Sequence, residues 1–411
     1  MLLAPPLYFT AAFPETLKDR ITRPIGDWIL PWYLRLRQRF APAYHGWFRH
    51  YWWVLGFDAV QEVFTKWQTA PVTNYHKTDA LRWDPPFLLA LRDKDDNYNR
   101  IHAAVRQHWS DNRIDTLRAI ARGAFESRLA QLVKSSHRID AIQDYMIPGF
   151  LEIVDRYYGV KIRDPKDESD FVHSLFLISR FFFGHHRGEP EVRPHAQEAF
   201  DQAMRVLQEV IDDARVDPSP EPGVLSDLIS AGVTDENLSS WLLGMILGFI
   251  PTSTNGQGRV LDLLLRRPEA MEWATKTVNS AKFLAVCHEA LRLNYILPGL
   301  FRETRESLTL GAGTTRPISI KQGETLLVSH QTAMFDPKHF PAPKKFDPDR
   351  PKSKNLNYGH DLHFCVGWDI ADIVMEETFR ALVLAGFSRP RHGRWEWRGA
   401  YPWVREIAIG S

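Results

Sequence analysis

Residues 98 to 300 keep a helical period almost without interruption, and no feature of the chain limits its fold more. In RIDTLRAIARGAFESRLAQLV (113–133), Ile114, Leu117, Ile120, Ala121 and Phe125 recur near every 3.6 residues, and EAFDQAMRVLQEVIDDA (198–214) does the same. TDENLSSWLLGMILGFI (234–250) joins a Thr-Asp start to a run that is apolar nearly all round, which predicts a helix opening at Asp235 and crossing the interior. Pro and Gly are scattered as punctuation, with no internal repeat and no low-complexity linker. Residues 1–411 therefore read as one large domain with a helix-rich core over about 98–300.

The pattern changes at the edges of this core. YWWVLGFDAVQEVF (51–64) reads as strand, turn and helix, with Val60, Val63 and Phe64 on one face. After Pro298, LTLGAGTTRPISIKQGETLLVSH (308–330) carries β-branched alternation broken by Gly, which predicts a small hairpin-rich β region. A Pro-rich stretch without any period follows (336–355). Unstructured loops this long are rare inside compact domains and are often functional. This meander and the cysteine loop run over about 336–367, and a last helix is expected at about 368–386. The architecture expected is mainly α, in the α+β class: a large helical part with a small β-rich part.

Composition removes several classes of function. A net charge of +1 gives no argument for nucleic acid or an anionic membrane surface. No apolar stretch reaches the roughly 18 residues needed to span a bilayer, and MLLAPPLYFTAAFPETLKDR (1–20) lacks the basic start and the length of a signal or anchor. A soluble, cytoplasmic protein is expected. Cys287 and Cys365 are the only cysteines, too few for a disulfide framework or a four-cysteine metal site.

Cys365 lies in YGHDLHFCVGWDI (358–370), between glycines and at the start of a helical run. The amides of a first helical turn favour a thiolate there. A nucleophile would need a base in space, and His363, two residues away, is poorly placed for it. Zinc wants more ligands than the segment offers. Haem needs one cysteine, because the porphyrin supplies four ligands. A lone cysteine can also be simply a buried small hydrophobe.

Four segments in order decide among these. The cysteine loop resembles F-G-x-G-x-[HR]-x-C-x-G of the cytochrome P450 superfamily: Gly359, His363, Cys365 and Gly367 match, whereas Tyr358 and Asp361 depart. HEALRL supplies Glu289 and Arg292 as E-x-x-R, two side chains on one helical face. PAPKKFDPDRP resembles the meander element P-x-x-F-x-P-x-R and offers Arg350 as third partner; LPGLFRETRE lies between.

This resemblance implies the cytochrome P450 fold and haem b (iron protoporphyrin IX), with Cys365 as the axial metal ligand beside Gly367. It assigns haem propionates to His363 and Arg302, and in YNRIHAAVRQHW to Tyr98 and His102 when Trp109 is aligned with the family's aromatic. A literal H-x-x-x-R, His102 with Arg106, breaks that alignment. Glu289, Arg292 and Arg350 would lock the fold structurally. The catalytic positions are Gly248, Pro251 and Thr252: the family's acid is proline here, and its second glycine is Phe249. Pro251 should kink the helix near Gly248 and free carbonyls. Phe182, Phe249, Leu297, Leu300 and Trp403, the last in a C-terminal loop GAYPWV (399–404), are expected to face a small, mainly apolar substrate; core packing is the rival reading for each.

The function implied is a bacterial-type monooxygenase inserting an oxygen atom from O2. Its electrons would come from a separate ferredoxin and an NAD(P)H-dependent ferredoxin reductase, docking near Lys344, Lys345, Lys352 and Lys354. The missing acid keeps open a peroxygenase or peroxide isomerase of the same fold, and a non-catalytic haem protein that binds a ligand. At Asp361, where the family has glycine, a tight bend is expected, which Asp tolerates with φ > 0 better than most residues.

Overall fold

The computed structural model describes residues 30–38, 43–45, 51–111, 113–184, 186–218, 222–312, 317–398 and 401–410. The N-terminal segment 1–20, and Gly399 with Ala400, lie outside them. The chain opens with α1 (Leu30–Gln38), β1 (Ala43–His45), β2 (Trp52–Val54), α2 (Phe57–Thr65), α3 (Tyr75–Ala80) and α4 (Asp96–Arg106), which runs on as a π turn. The helical bulk follows: α5 (Ile114–Ser135), β3 (Arg138–Asp140), α6 (Ile147–Ile153), α7 (Pro165–Gly184), α8 (Arg193–Val216), α9 (Val224–Ser230), α10 (Asp235–Arg266), α11 (Pro268–Thr277) and α12 (Phe283–Leu293). Then come β4 (Leu300–Glu303), β5 (Leu308–Leu310), β6 (Ile318–Ile320), β7 (Thr325–Val328), α13 (His330–Ala333), α14 (Trp368–Ala385), β8 (Phe387–Ser388), β9 (Trp395–Arg398) and β10 (Tyr401–Ile409). The protein is mainly helical with small sheets, as its periodicity predicts.

The central helix α10 is buried along most of its 32 residues, because α7, α8, α12 and β10 pack around it. Such close packing needs small residues: a Cβ on Gly244 would lie 2.3 Å from the Phe87 ring. Pro251 lacks the N–H that the Leu247 carbonyl would accept. The helix nonetheless continues through Pro251 to Arg266. Local hydroxyls take up nearby carbonyls instead: Thr252 Oγ1 donates to the Gly248 oxygen and Thr254 Oγ1 to that of Ile250.

The strands pair across long sequence separations. One sheet has the order β1-β2-β7-β4, in which β2 runs parallel to β7 (Val54 beside Val328) and β4 antiparallel to it (Arg302 beside Leu326). The β5–β6 hairpin matches the sequence pattern, but β7 leaves that region to join the N-terminal strands. β10 pairs with β3, β8 and β9. The expected C-terminal loop is therefore a strand from Tyr401 onward, its proline tolerated where the register shifts between Pro402 and Val404.

Candidate functional site

Three segments converge around the cysteine: α4, strand β4 and the loop 358–367. Asp95 caps α4 by accepting from the Tyr98 amide at 2.7 Å, which fixes the helix start. The Tyr98 hydroxyl then donates to the Leu362 carbonyl at 2.6 Å, its ring stacks on His102, and its edge meets His363. Arg106, the other candidate of the literal H-x-x-x-R spacing, is committed elsewhere: it donates to the Val366 carbonyl at 3.1 Å and pairs with Asp369 at 2.9 Å. Trp109 packs so closely under the loop that a Cβ on Gly367 would lie 2.6 Å from its ring.

Arg302 is held by the β4–β7 pairing and by a bridge to Val72. It is buried over the Phe64 ring, and its Nη1 donates only to the neighbouring Phe301 carbonyl. Its Nε has no partner, and burial draws the guanidinium down to about 10. The Nε2 of His363 is likewise enclosed without a partner, and burial together with Arg302 lowers that imidazole to about 3. Buried donors seldom go unpaired, since each such group costs about 1–3 kcal/mol. A fixed cation and an imidazole close enough to feel its charge, both with an unpartnered nitrogen, fit the carboxylates of an anionic group.

The loop itself is tightly folded. The Cys365 amide donates to the Tyr358 carbonyl at 2.8 Å, Gly359 adopts φ 79°, and Asp361 adopts φ 57°, the left-handed bend expected at the family's glycine position. The Gly367 amide donates to the sulfur, but burial outweighs it, and Asp369 and Asp372 add to the upward push, so the thiol rises to about 11. The amide at the helix start thus favours the thiolate as expected, while the low dielectric and the two carboxylates work against it. Among the described residues no three His, Cys, Asp or Glu side chains gather as a metal site.

On α10, Gly248 is exposed between buried neighbours, and a Cβ there would meet nothing within 4 Å. An open space thus reaches the middle of an otherwise packed helix, beside Thr252. Of the residues expected to line a substrate pocket, Phe249 points elsewhere: its ring stacks on Tyr158 and meets Phe150 in the helical core. Trp403 packs on Phe176, and Phe182 on Trp83. Leu297 and Leu300 are half-buried against the small-sheet core.

Glu289, Arg292 and Arg350 meet beside the meander. Arg292 binds both Glu289 oxygens at 2.6 and 2.8 Å, and Arg350 Nε reaches Glu289 at 3.3 Å. Their remaining N–H groups hold meander carbonyls: Met334 and Pro343 from Arg292, Pro341 and Ala342 from Arg350. Sequence reasoning missed a second network under the cysteine loop, in which Asp372 accepts from Tyr358 at 2.5 Å and faces His288 at 2.6 Å. The departure at Tyr358 was its one visible sign.

A cysteine loop on one wall, a buried cation and a neutral imidazole without partners at the rim, and an open space at the central helix are the features of a haem-thiolate protein. Residues 95–367 match the family model described as Cytochrome P450. The chain belongs to the cytochrome P450 family, whose members are haem-thiolate monooxygenases. It is 25% identical over 321 residues to the 6-deoxyerythronolide B hydroxylase of Saccharopolyspora erythraea, covering 76% of this chain and 71% of that one. A bifunctional dioxygenase–epoxy alcohol synthase of Fusarium oxysporum is 32% identical over 167 residues, 38% of this chain but 13% of that protein. Among solved structures, P450BioI in complex with an acyl carrier protein ligated to hexadec-9Z-enoic acid superposes with a TM-score of 0.78 at 17% identity, covering 92% of this chain and 98% of that one. This likeness bears on the fold alone. Among the described residues no helix is long and apolar enough to cross a membrane.

Proposed function

We propose that this chain is a cytoplasmic monooxygenase that inserts one oxygen atom from O2 into a small, mainly apolar organic substrate. Its electrons come from a ferredoxin and an NAD(P)H-dependent ferredoxin reductase. The observation that carries the reading is the pair of unpaired donors, Arg302 Nε and His363 Nε2, at the rim of the Cys365 loop. In this reading the two, with Tyr98 and His102, hold the haem propionates. Cys365 ligates the iron, and the Gly367 amide steadies its sulfur. Haem, once bound, supplies an iron centre able to activate oxygen. Gly248 leaves open space beside the central helix where the substrate and oxygen would need room, and Thr252, its hydroxyl directed to the Gly248 carbonyl, would position water there. Lys344, Lys345 and Lys352 are exposed for an acidic ferredoxin, while Lys354 donates to the His339 carbonyl.

A second reading, rearrangement of a bound organic peroxide, is favoured by Pro251, which offers no acid where a proton relay would need one. The similarity to a protein named as an epoxy alcohol synthase points the same way. Reduced carbon-monoxide difference spectra test the common core: wild type should show the thiolate-ligated band, and Cys365→Ala should lose it. NAD(P)H-driven turnover with a surrogate ferredoxin and reductase then separates the two readings. Activity with peroxide alone would sink the first.

A further inference from the structure

Lys77, on α3, is buried to 1% exposure. Its ammonium donates to Asn74 Oδ1 at 3.1 Å and to the Phe182 carbonyl at the last turn of α7. Both acceptors are neutral. Among the described residues no carboxylate pairs with it, and its third N–H has no acceptor. An enclosed ammonium without a counter-charge is costly, and burial alone draws Lys77 down to about 7. Binding a helix-end carbonyl is an ordinary use of lysine, but it needs neither full burial nor a spare donor.

The surroundings indicate what the spare donor meets. The segment before α3 is tied to the strand of Arg302: Val72 bridges to Arg302, and the Glu303 amide donates to the Pro71 carbonyl at 3.2 Å. From there an apolar wall leads to the central helix. Phe182 meets Trp83 edge-on at 5.7 Å, and Phe87 lies against Gly244 of α10, one turn before Gly248. A single cation thus stands at one end of an aromatic wall whose other end approaches the open space at Gly248. We propose that Lys77 receives the carboxylate of an amphipathic substrate, so that this site takes apolar acids and oxidises them at a carbon remote from the acid group. The proposal rests on the haem-thiolate reading and names its substrate class.

The test is a spin-state titration of the haem-loaded protein with dodecanoic acid, its methyl ester and dodecan-1-ol. Wild type should bind the acid about tenfold or more tighter than the ester, the worth of one charge-assisted hydrogen bond. Lys77→Met should bring the two affinities within about threefold while ester binding is kept. Lys77→Gln, which retains an N–H for the Phe182 carbonyl, should do the same and covers the case in which the Met variant does not fold. Equal affinities in wild type, an unchanged ratio in the variants, or no response to any of the three would overturn the proposal. A wild-type protein without the thiolate band would fail the haem reading itself; a normal band without acid preference fails only the role of Lys77.

Discussion

Asp361 shows how one residue can satisfy a backbone demand that the family meets with glycine. At φ 57° an ordinary side chain costs roughly 1–2 kcal/mol, and Asp less than most. Asp361→Ala should therefore lower urea stability by about 1 kcal/mol, whereas Asp361→Gly should leave it within about 0.5 kcal/mol, since relief of strain offsets the looser unfolded chain. A second residue links stability to pH. His330 is buried against Tyr295 and Phe64, and burial lowers it to about 4. Its folded-state value lies below the unfolded 6.5, so folding excludes a proton; the stability this supplies is present above pH 6.5 and is lost as pH falls toward 4. The loss amounts to about 3 kcal/mol. His330→Phe should flatten the acid limb of stability over that interval, measured by urea unfolding at stepped pH. The bend at 361 was legible because a glycine position had been replaced; the burial of His330 was not, because it depends on which strand lies beside it.

At the scale of elements, α10 carries its proline at a cost. Proline in a helix interior is about 3 kcal/mol worse than alanine, and here it leaves the Leu247 carbonyl without its helical donor. Pro251→Ala should stabilise the protein by about 1–3 kcal/mol in urea unfolding. A smaller gain would mean that the helix has already relaxed around the proline. The helix itself was legible from its apolar run and its start at Asp235, but its extension to Arg266 was not. Asn255, Gly256, Gln257 and Gly258 look like a terminus in one dimension, yet they are buried where Ile296 and Pro402 close on the two glycines. The two spacings around His102 are likewise told apart only by contacts in space. Spacing allowed either His102 with Arg106 or Tyr98 with His102, and tertiary contacts then committed Arg106 to Val366 and Asp369.

Across the whole molecule, distant parts of the chain are tied by ion pairs that the interior encloses. Arg405 of β10 grips Asp262 of α10 through two bonds of 2.5 and 3.0 Å, with both side chains buried. Removing one partner of such a pair typically costs 3–5 kcal/mol, because the other charge stays behind in low dielectric. Arg405→Met alone should lose about that much, and adding Asp262→Leu should recover most of it. Equal losses in the single and double variants, read from urea unfolding, would show that the cost is not that of a stranded charge. The parallel pairing of β2 with β7 joins residues 52–54 to 326–328 in the same long-range manner.

By itself the sequence determined what repeats locally or stands in fixed spacing: the helical bulk, the strand-turn-helix near 51–64, the β5–β6 hairpin, the Glu289–Arg292 pair and the cysteine loop. Each rests on contacts within a few residues, which periodicity and turn chemistry record directly. Only the tertiary structure decided which side chains face the open space beside Gly248. Phe249 turned into the helical core, the C-terminal segment became a strand, and Lys77 came to lie against the end of α7. Those outcomes depend on neighbours far away along the chain, and a single side chain carries no mark of which distant surface will cover it.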